Sequence, residues 1–177
     1  MKNNQLGRSM IEMLGVLSII GVLSVGGFSL VKKMQNSYDT NKIMEEISSF
    51  TRRARRVIRE YDTSSSLTLN EYINEGRAVP EGITLGTDNK FVGTANIVYD
   101  FILNPSETTI KNALFKINMT GVPEEICMQI ANADWGSVAS SGFKGMKIGD
   151  NVSTETLSLG AAADYCGSDN VIDLFYR

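Results

Sequence analysis

An α+β fold is what the sequence predicts: a long N-terminal α-helix followed by a head built on an antiparallel β-sheet. Three patterns carry that expectation. Residues 13–31 form a run of 19 without a charge. Ile43, Ile47, Phe50, Ala54, Val57 and Tyr61 then recur at spacings of 4, 3, 4, 3 and 4, a one-sided helical stripe. Downstream, short segments rich in β-branched and aromatic residues alternate with turn residues.

Bulk properties narrow the function classes. The chain has 177 residues, enough for one modest domain plus one further element. It is 42% hydrophobic and 21% charged with a net charge of −3, so nothing in the balance demands nucleic acid. There is no histidine, which removes the commonest general base and metal ligand. No nucleophile, base and orienting group stand in a recognisable pattern, so no enzyme, cofactor or metal is expected. Cys127 and Cys166 are too few for a structural zinc site and too far apart for a CxxC redox motif.

The charge-free run would span about 28 Å as a helix, close to a hydrocarbon core of about 30 Å. A secretory signal peptide would have a shorter apolar core and a small-residue cleavage site after it. A plain membrane anchor explains the length but not Glu12 at its edge, since a carboxylate there costs a few kcal/mol unless paired.

A third reading uses every feature. Gly7-Arg8-Ser9-Met10-Ile11-Glu12-Met13-Leu14 resembles the processing site of type IV prepilins. In that family a membrane peptidase cuts after the glycine that ends a short basic leader, and the new N-terminal amine is methylated. The resemblance implies a leader over residues 1–7, a cut between Gly7 and Arg8, and Glu12 as the fifth mature residue. Arg8 stands where the family usually carries phenylalanine or methionine. A glutamate buried among identical helices needs a cation, and the free amine of a neighbouring subunit supplies one. Losing one partner of such a pair costs about 3–5 kcal/mol, which would reject misregistered subunits.

Gly15, Ser18, Gly21, Ser24 and Gly27 recur every three residues along the same segment. Steps of three drift by about 60°, so these residues wind around a helix and let several neighbours approach. Gly26-Gly27 is a weak point where helix-breaking would be tolerated. Lys32 and Lys33 close the apolar run without a stop signal, so the helix is expected to continue to Tyr61, half protruding and half packed on the head. Arg52, Arg53, Arg55, Arg56 and Arg59 are expected on its exposed side. They read as a solvated face, or as partners for acids such as Glu45 and Glu46 of a neighbouring subunit, rather than as a DNA-binding surface.

In the head, Leu69–Glu75 suggests a short helix stopped by Gly76, and Gly82, Gly86 and Gly93 mark loops. Strands are expected over Ile97–Leu103, Leu114–Thr120, Phe143–Ile148 and Val171–Tyr176. Pro123-Glu124-Glu125 is a helix start holding Cys127. Two N-x-S/T matches, at Asn118 and Asn151, and the acids Asp150 and Glu155 carry no specific signal for glycosylation or calcium.

Val122-Pro123-Glu124-Glu125-Ile126-Cys127, Trp135 and Ala161-Ala162-Ala163-Asp164-Tyr165-Cys166 before a closing strand resemble the C-terminal region of type IVb pilins. That group includes adhesion and conjugative thin-pilus subunits. The resemblance implies an αβ-roll and a disulfide between Cys127 and Cys166 bounding residues 127–166; two unpaired buried thiols are the alternative. A translocated domain sits in an oxidising compartment, which favours the bridge.

The organisation expected is therefore a leader over 1–7, a long helix over 8–61 with 13–31 in the membrane or filament core, and a head over 62–177. Its function would be a structural subunit of a type IVb-like pilus serving adhesion, aggregation or conjugation. Expected partners are further copies of itself in a helical polymer, the prepilin peptidase, inner-membrane assembly machinery and, before assembly, lipid; nucleic acid is not. The N-terminus would be cytoplasmic at a bacterial inner membrane, and the assembled filament extracellular. The alternatives are a pseudopilin of a type II secretion system and, from another class, a membrane-anchored DNA-uptake module.

Overall fold

The structure is a computed structural model that describes residues 5–106, 109–135 and 142–177; along the first helix, side chains are described for 13–18 and from Tyr38 onward. The chain divides into two compact units, Met1–Tyr38 and Asp39–Arg177. Helix α1, Gln5–Ile58, contributes residues to both. Among the described residues no helix is long and apolar enough to cross a membrane. Residues 19–31 of the charge-free segment lie outside those whose side chains are described.

In the second unit, α1 buries Ile43, Ile47, Phe50, Ala54 and Ile58 in one core with the sheet. The stripe ends one turn earlier than its sequence pattern suggests. Ile58 takes the inward place, while Val57 is half-buried and Tyr61 lies past the helix. The reason is local: Glu60 and Tyr61 donate their N–H groups to the carbonyls of Val57 and Ile58, turning the chain. The Tyr61 ring then packs edge-on against Tyr72 at 5.1 Å, and its hydroxyl donates to the Leu67 carbonyl at 2.9 Å.

Helix α2, Leu69–Glu75, forms where expected because Thr68 and Glu71 make a reciprocal capping box that satisfies two otherwise orphaned N–H groups. Among the described residues the sheet has seven strands: β1 Thr84–Leu85, β2 Phe91–Val92, β3 Val98–Leu103, β4 Phe115–Val122, β5 Phe143–Ile148, β6 Asn151–Ser153 and β7 Asn170–Tyr176. Their order is β1-β2-β3-β4-β7-β5-β6 and every pairing is antiparallel. The last strand is therefore central, inserted between β4 and β5, with Tyr176 opposite both Phe115 and Phe143. A register shift between Met119 and Val122 is accommodated at Gly121, whose φ of +74° is open to glycine.

Aromatic rings link the layers. Phe50 of α1 meets Phe91 at 4.9 Å and Phe101 at 4.7 Å. Phe101, Phe115 and Tyr176 continue the contact across three strands at 6.1 and 5.6 Å. Such pairs add about 0.5–1.5 kcal/mol each beyond their burial. Helices α3, Glu124–Asn132, and α4, Leu159–Tyr165, pack together on the C-terminal half.

Candidate functional site

The first unit presents the candidate assembly surface. Met13, Leu14, Val16 and Leu17 are 67%, 60%, 56% and 56% exposed. Four large apolar side chains in five positions point in several directions around a helix, so no single face hides them. Gly15 lies among them with open space where a side chain would be, and Ser18 folds its hydroxyl back onto the Leu14 carbonyl at 2.8 Å. A serine that satisfies itself in this way leaves an apolar surface outward. A contiguous exposed apolar surface of this kind marks a membrane or protein contact. Gly7, Arg8, Glu12, Gly21, Ser24 and Gly27 fall on α1 but outside the residues whose surroundings are described.

In the second unit the predicted cysteines meet. Cys127 on α3 and Cys166 at the end of α4 form a disulfide, with Cα atoms 5.9 Å apart and a sequence separation of 39. The segment leading into α4 is tied to α3 by the Leu157 N–H donating to the Ala131 carbonyl at 3.0 Å. Trp135 closes the group, its indole N–H donating to the Ile130 carbonyl at 2.8 Å.

One expectation needs correction. Glu46, read as an exposed acid available to a neighbour, is buried at 4% exposure. Its position lies three residues after Ile43 and four before Phe50, so helical periodicity turns it inward with them. It accepts the Thr94 hydroxyl at 2.5 Å, the Thr94 N–H at 3.3 Å and the Tyr99 hydroxyl at 3.2 Å. Burial first, then the charge of Glu46 and its hydrogen bond, push the Tyr99 phenol far above its ordinary value. Gly93 completes this clamp: a Cβ there would stand 2.7 Å from Tyr99 Cε2 and 2.9 Å from Glu46 Oε2. Read in the sequence as a loop glycine, it serves close approach.

Sequence reasoning also missed Asn70, a buried amide on α2. Its Nδ2 donates to the Asn89 carbonyl at 2.7 Å and to Asp100 Oδ1 at 2.8 Å, while its Oδ1 accepts the Phe101 N–H at 3.1 Å. On the sheet face that Asp100 shares, in the same cross-strand rung, Asp173 accepts from Lys116 Nζ and Asn118 Nδ2, both at 2.7 Å. These groups hold elements together, and among the described residues no cluster of His, Cys, Asp or Glu could hold a metal.

Of the arginines, Arg52, Arg53, Arg56 and Arg59 are exposed as expected. Arg55 is half-buried instead, and its guanidinium occupies the space a side chain at Gly142 would need. Burial, and after it the neighbouring Arg59 charge, lowers its pKa.

No family model and no curated protein sequence matches the chain significantly. Among solved structures, the crystal structure of a type IVb pilin from Salmonella typhi superposes with a TM-score of 0.58 at 15% sequence identity, covering 73% of this chain and 94% of that one. The long helix packed on an antiparallel sheet, with the last strand drawn into the sheet's centre, is a pilin-like fold.

Proposed function

We propose that the chain is the structural subunit of a type IVb-like pilus, assembled through α1 into an extracellular filament. The observation that carries the reading is a pilin-like fold joined to a helix whose described N-terminal residues, Met13 to Leu17, are exposed and apolar. A folded domain has no need of such a surface for itself, and lipid or identical helices would cover it. In this reading residues 1–7 are a leader removed between Gly7 and Arg8 by a membrane peptidase. Residues 13–31 hold the precursor in a bacterial inner membrane and later form the filament core. Glu12 registers each subunit against a neighbour's amine, and Gly15, Ser18, Gly21, Ser24 and Gly27 let helices approach. Residues 62–177 form the outer surface, with the segment bounded by Cys127 and Cys166 toward solvent. The Cys127–Cys166 pair leans the reading toward a pilin over a secretion-system pseudopilin.

Mass spectrometry of the N-terminus, with electron microscopy of sheared cells, tests this reading. A chain beginning at Arg8 and found in filaments is the expected result. A chain in cells that retains Met1, or is cut after Gly27, would sink it.

A further inference from the structure

The second unit concentrates arginines at one end. Residues 39–177 carry 13 Lys and Arg against 19 Asp and Glu, net −6, yet five of the arginines fall within 52–59. Arg52, Arg56 and Arg59 follow i, i+4, i+7 spacing and are exposed, so they share one side of the helix end. With Arg55 and Glu60 they line one recess, and Arg59 lines a second with Asn112, Ala113, Leu114 and Arg177. The stripe therefore ends beside the Phe115–Tyr176 rung of the central strands. Among the described residues, no ion pair reaches Arg52, Arg56 or Arg59.

Three exposed acids lie at the other end of the same strands. Glu124 opens α3 directly after β4, and Asp169 directly precedes β7. Asp150 sits in the turn between β5 and β6, where the Gly149 N–H donates to the Val171 carbonyl at 3.1 Å. All three are exposed and lie near the Val122–Asn170 rung. From Asn170 to Tyr176 a strand rises about 20 Å. That exceeds the screening length of about 8 Å at physiological ionic strength, so these three acids do not relieve the arginines of their own chain, and the single Glu60 beside the stripe leaves it a net positive surface.

We propose that Arg52, Arg56 and Arg59 of one copy dock on the Glu124, Asp150 and Asp169 end of a second copy, a salt-sensitive contact between successive heads. This rests on the self-assembly reading above. Opposite charges at opposite ends make a heterologous contact, which, where its rotation does not close into a ring, propagates into an open helical polymer instead of a two-fold dimer. A phosphate polymer is the poorer occupant, because the rest of the head, 8 basic against 19 acidic residues, repels it.

Charge reversal in the full chain tests the contact. Arg52→Glu with Arg56→Glu and Arg59→Glu should lower filament yield about tenfold, equivalent to ~1.4 kcal/mol. Glu124→Lys with Asp150→Lys and Asp169→Lys should do the same, and the two sets together should restore it. Intact disulfide formation in each variant shows that the head has folded. Unchanged yield from either set, or no recovery in the combined set, overturns the proposal. A second measurement needs no filament: zero-length carbodiimide cross-linking of an Arg59→Lys chain in cells, read by peptide mass spectrometry. An intermolecular link from position 59 to Glu124, Asp150 or Asp169 supports the contact, and its absence overturns it. Links without filaments defeat the pilus reading and leave the contact standing. Binding of labelled duplex DNA by the detergent-solubilised chain, lost on reversing the stripe and unaccompanied by the link, overturns the proposal in favour of a phosphate polymer.

Discussion

The two units of α1 use the same kinds of residue to opposite ends. From Asp39 onward its apolar positions are completed within the chain: Ile43, Ile47 and Phe50 are buried at 0–1% exposure. Near its start, Met13, Leu14, Val16 and Leu17 stand more than half exposed. The first set is confined to one side by spacings of three and four, while the second is consecutive and surrounds the helix. A one-sided stripe can be satisfied by one sheet, but an apolar surface on every side needs several neighbours.

Paired truncations test that contrast most strongly. Phe50→Ala should destabilise the head by about 3–5 kcal/mol, since it empties the centre of the aromatic chain. Leu17→Ala should change head stability by less than about 0.5 kcal/mol while reducing filament yield. Urea unfolding of the detergent-solubilised chain, followed by aromatic fluorescence, gives the stability values. A large loss of head stability from Leu17→Ala would break the contrast.

Reducing or removing the disulfide comes next. A bridge closing a loop of about 40 residues stabilises by about 3–4 kcal/mol in the chain-entropy model. Cys127→Ser with Cys166→Ser should lower the urea midpoint of the head accordingly and leave membrane insertion unaltered. An unchanged midpoint would mean that the packing of α3 and α4 suffices.

The smallest effect expected is at the buried clamp. Glu46→Ala leaves the Thr94 and Tyr99 donors without their acceptor, at about 1–3 kcal/mol. The same site sets an alkaline dependence. Burial raises the phenols of both Tyr99 and Tyr176 above their ordinary value of 10, helped at Tyr99 by Glu46 and opposed at Tyr176 by a hydrogen bond with Thr51. A group with a raised folded pKa contributes its full stability below the unfolded value and loses it as pH climbs beyond that value. The head should therefore weaken above about pH 10, by up to ~1.4 kcal/mol per pH unit for each tyrosine. Tyr99→Phe should flatten that slope, measured by urea unfolding between pH 9 and 11. An unaltered slope would show that Tyr99 ionises freely.

Much of this fold was legible because local rules decide it. The α2 helix before its Gly76 stop, the alternation in β4 and the proline–acid start of α3 each use neighbours within a few residues, and each element formed within three residues of its expected position. The short strands β1, β2 and β6 were not legible, since two or three residues carry no period. Helix α4 has one local signal, Ser158, which caps it through the Ala161 N–H at 3.4 Å, and seven residues are too few to add a period to it. Asn70 and Gly93 had no readable signal, because their partners lie 19 or more residues away or across the core.

By itself, the sequence determined the α+β class, the one-sided stripe from Ile43 and the charge-free segment before it, all set by short-range periodicity. Tertiary structure alone decided that β7 lies between β4 and β5, that Glu46 turns inward to Thr94 and Tyr99, and that the arginine stripe and the Glu124, Asp150 and Asp169 group lie at opposite ends of the same strands. Those outcomes depend on which distant segments pair and in what register, and that is settled only when the sheet closes on the helix and each buried polar group must find its partner.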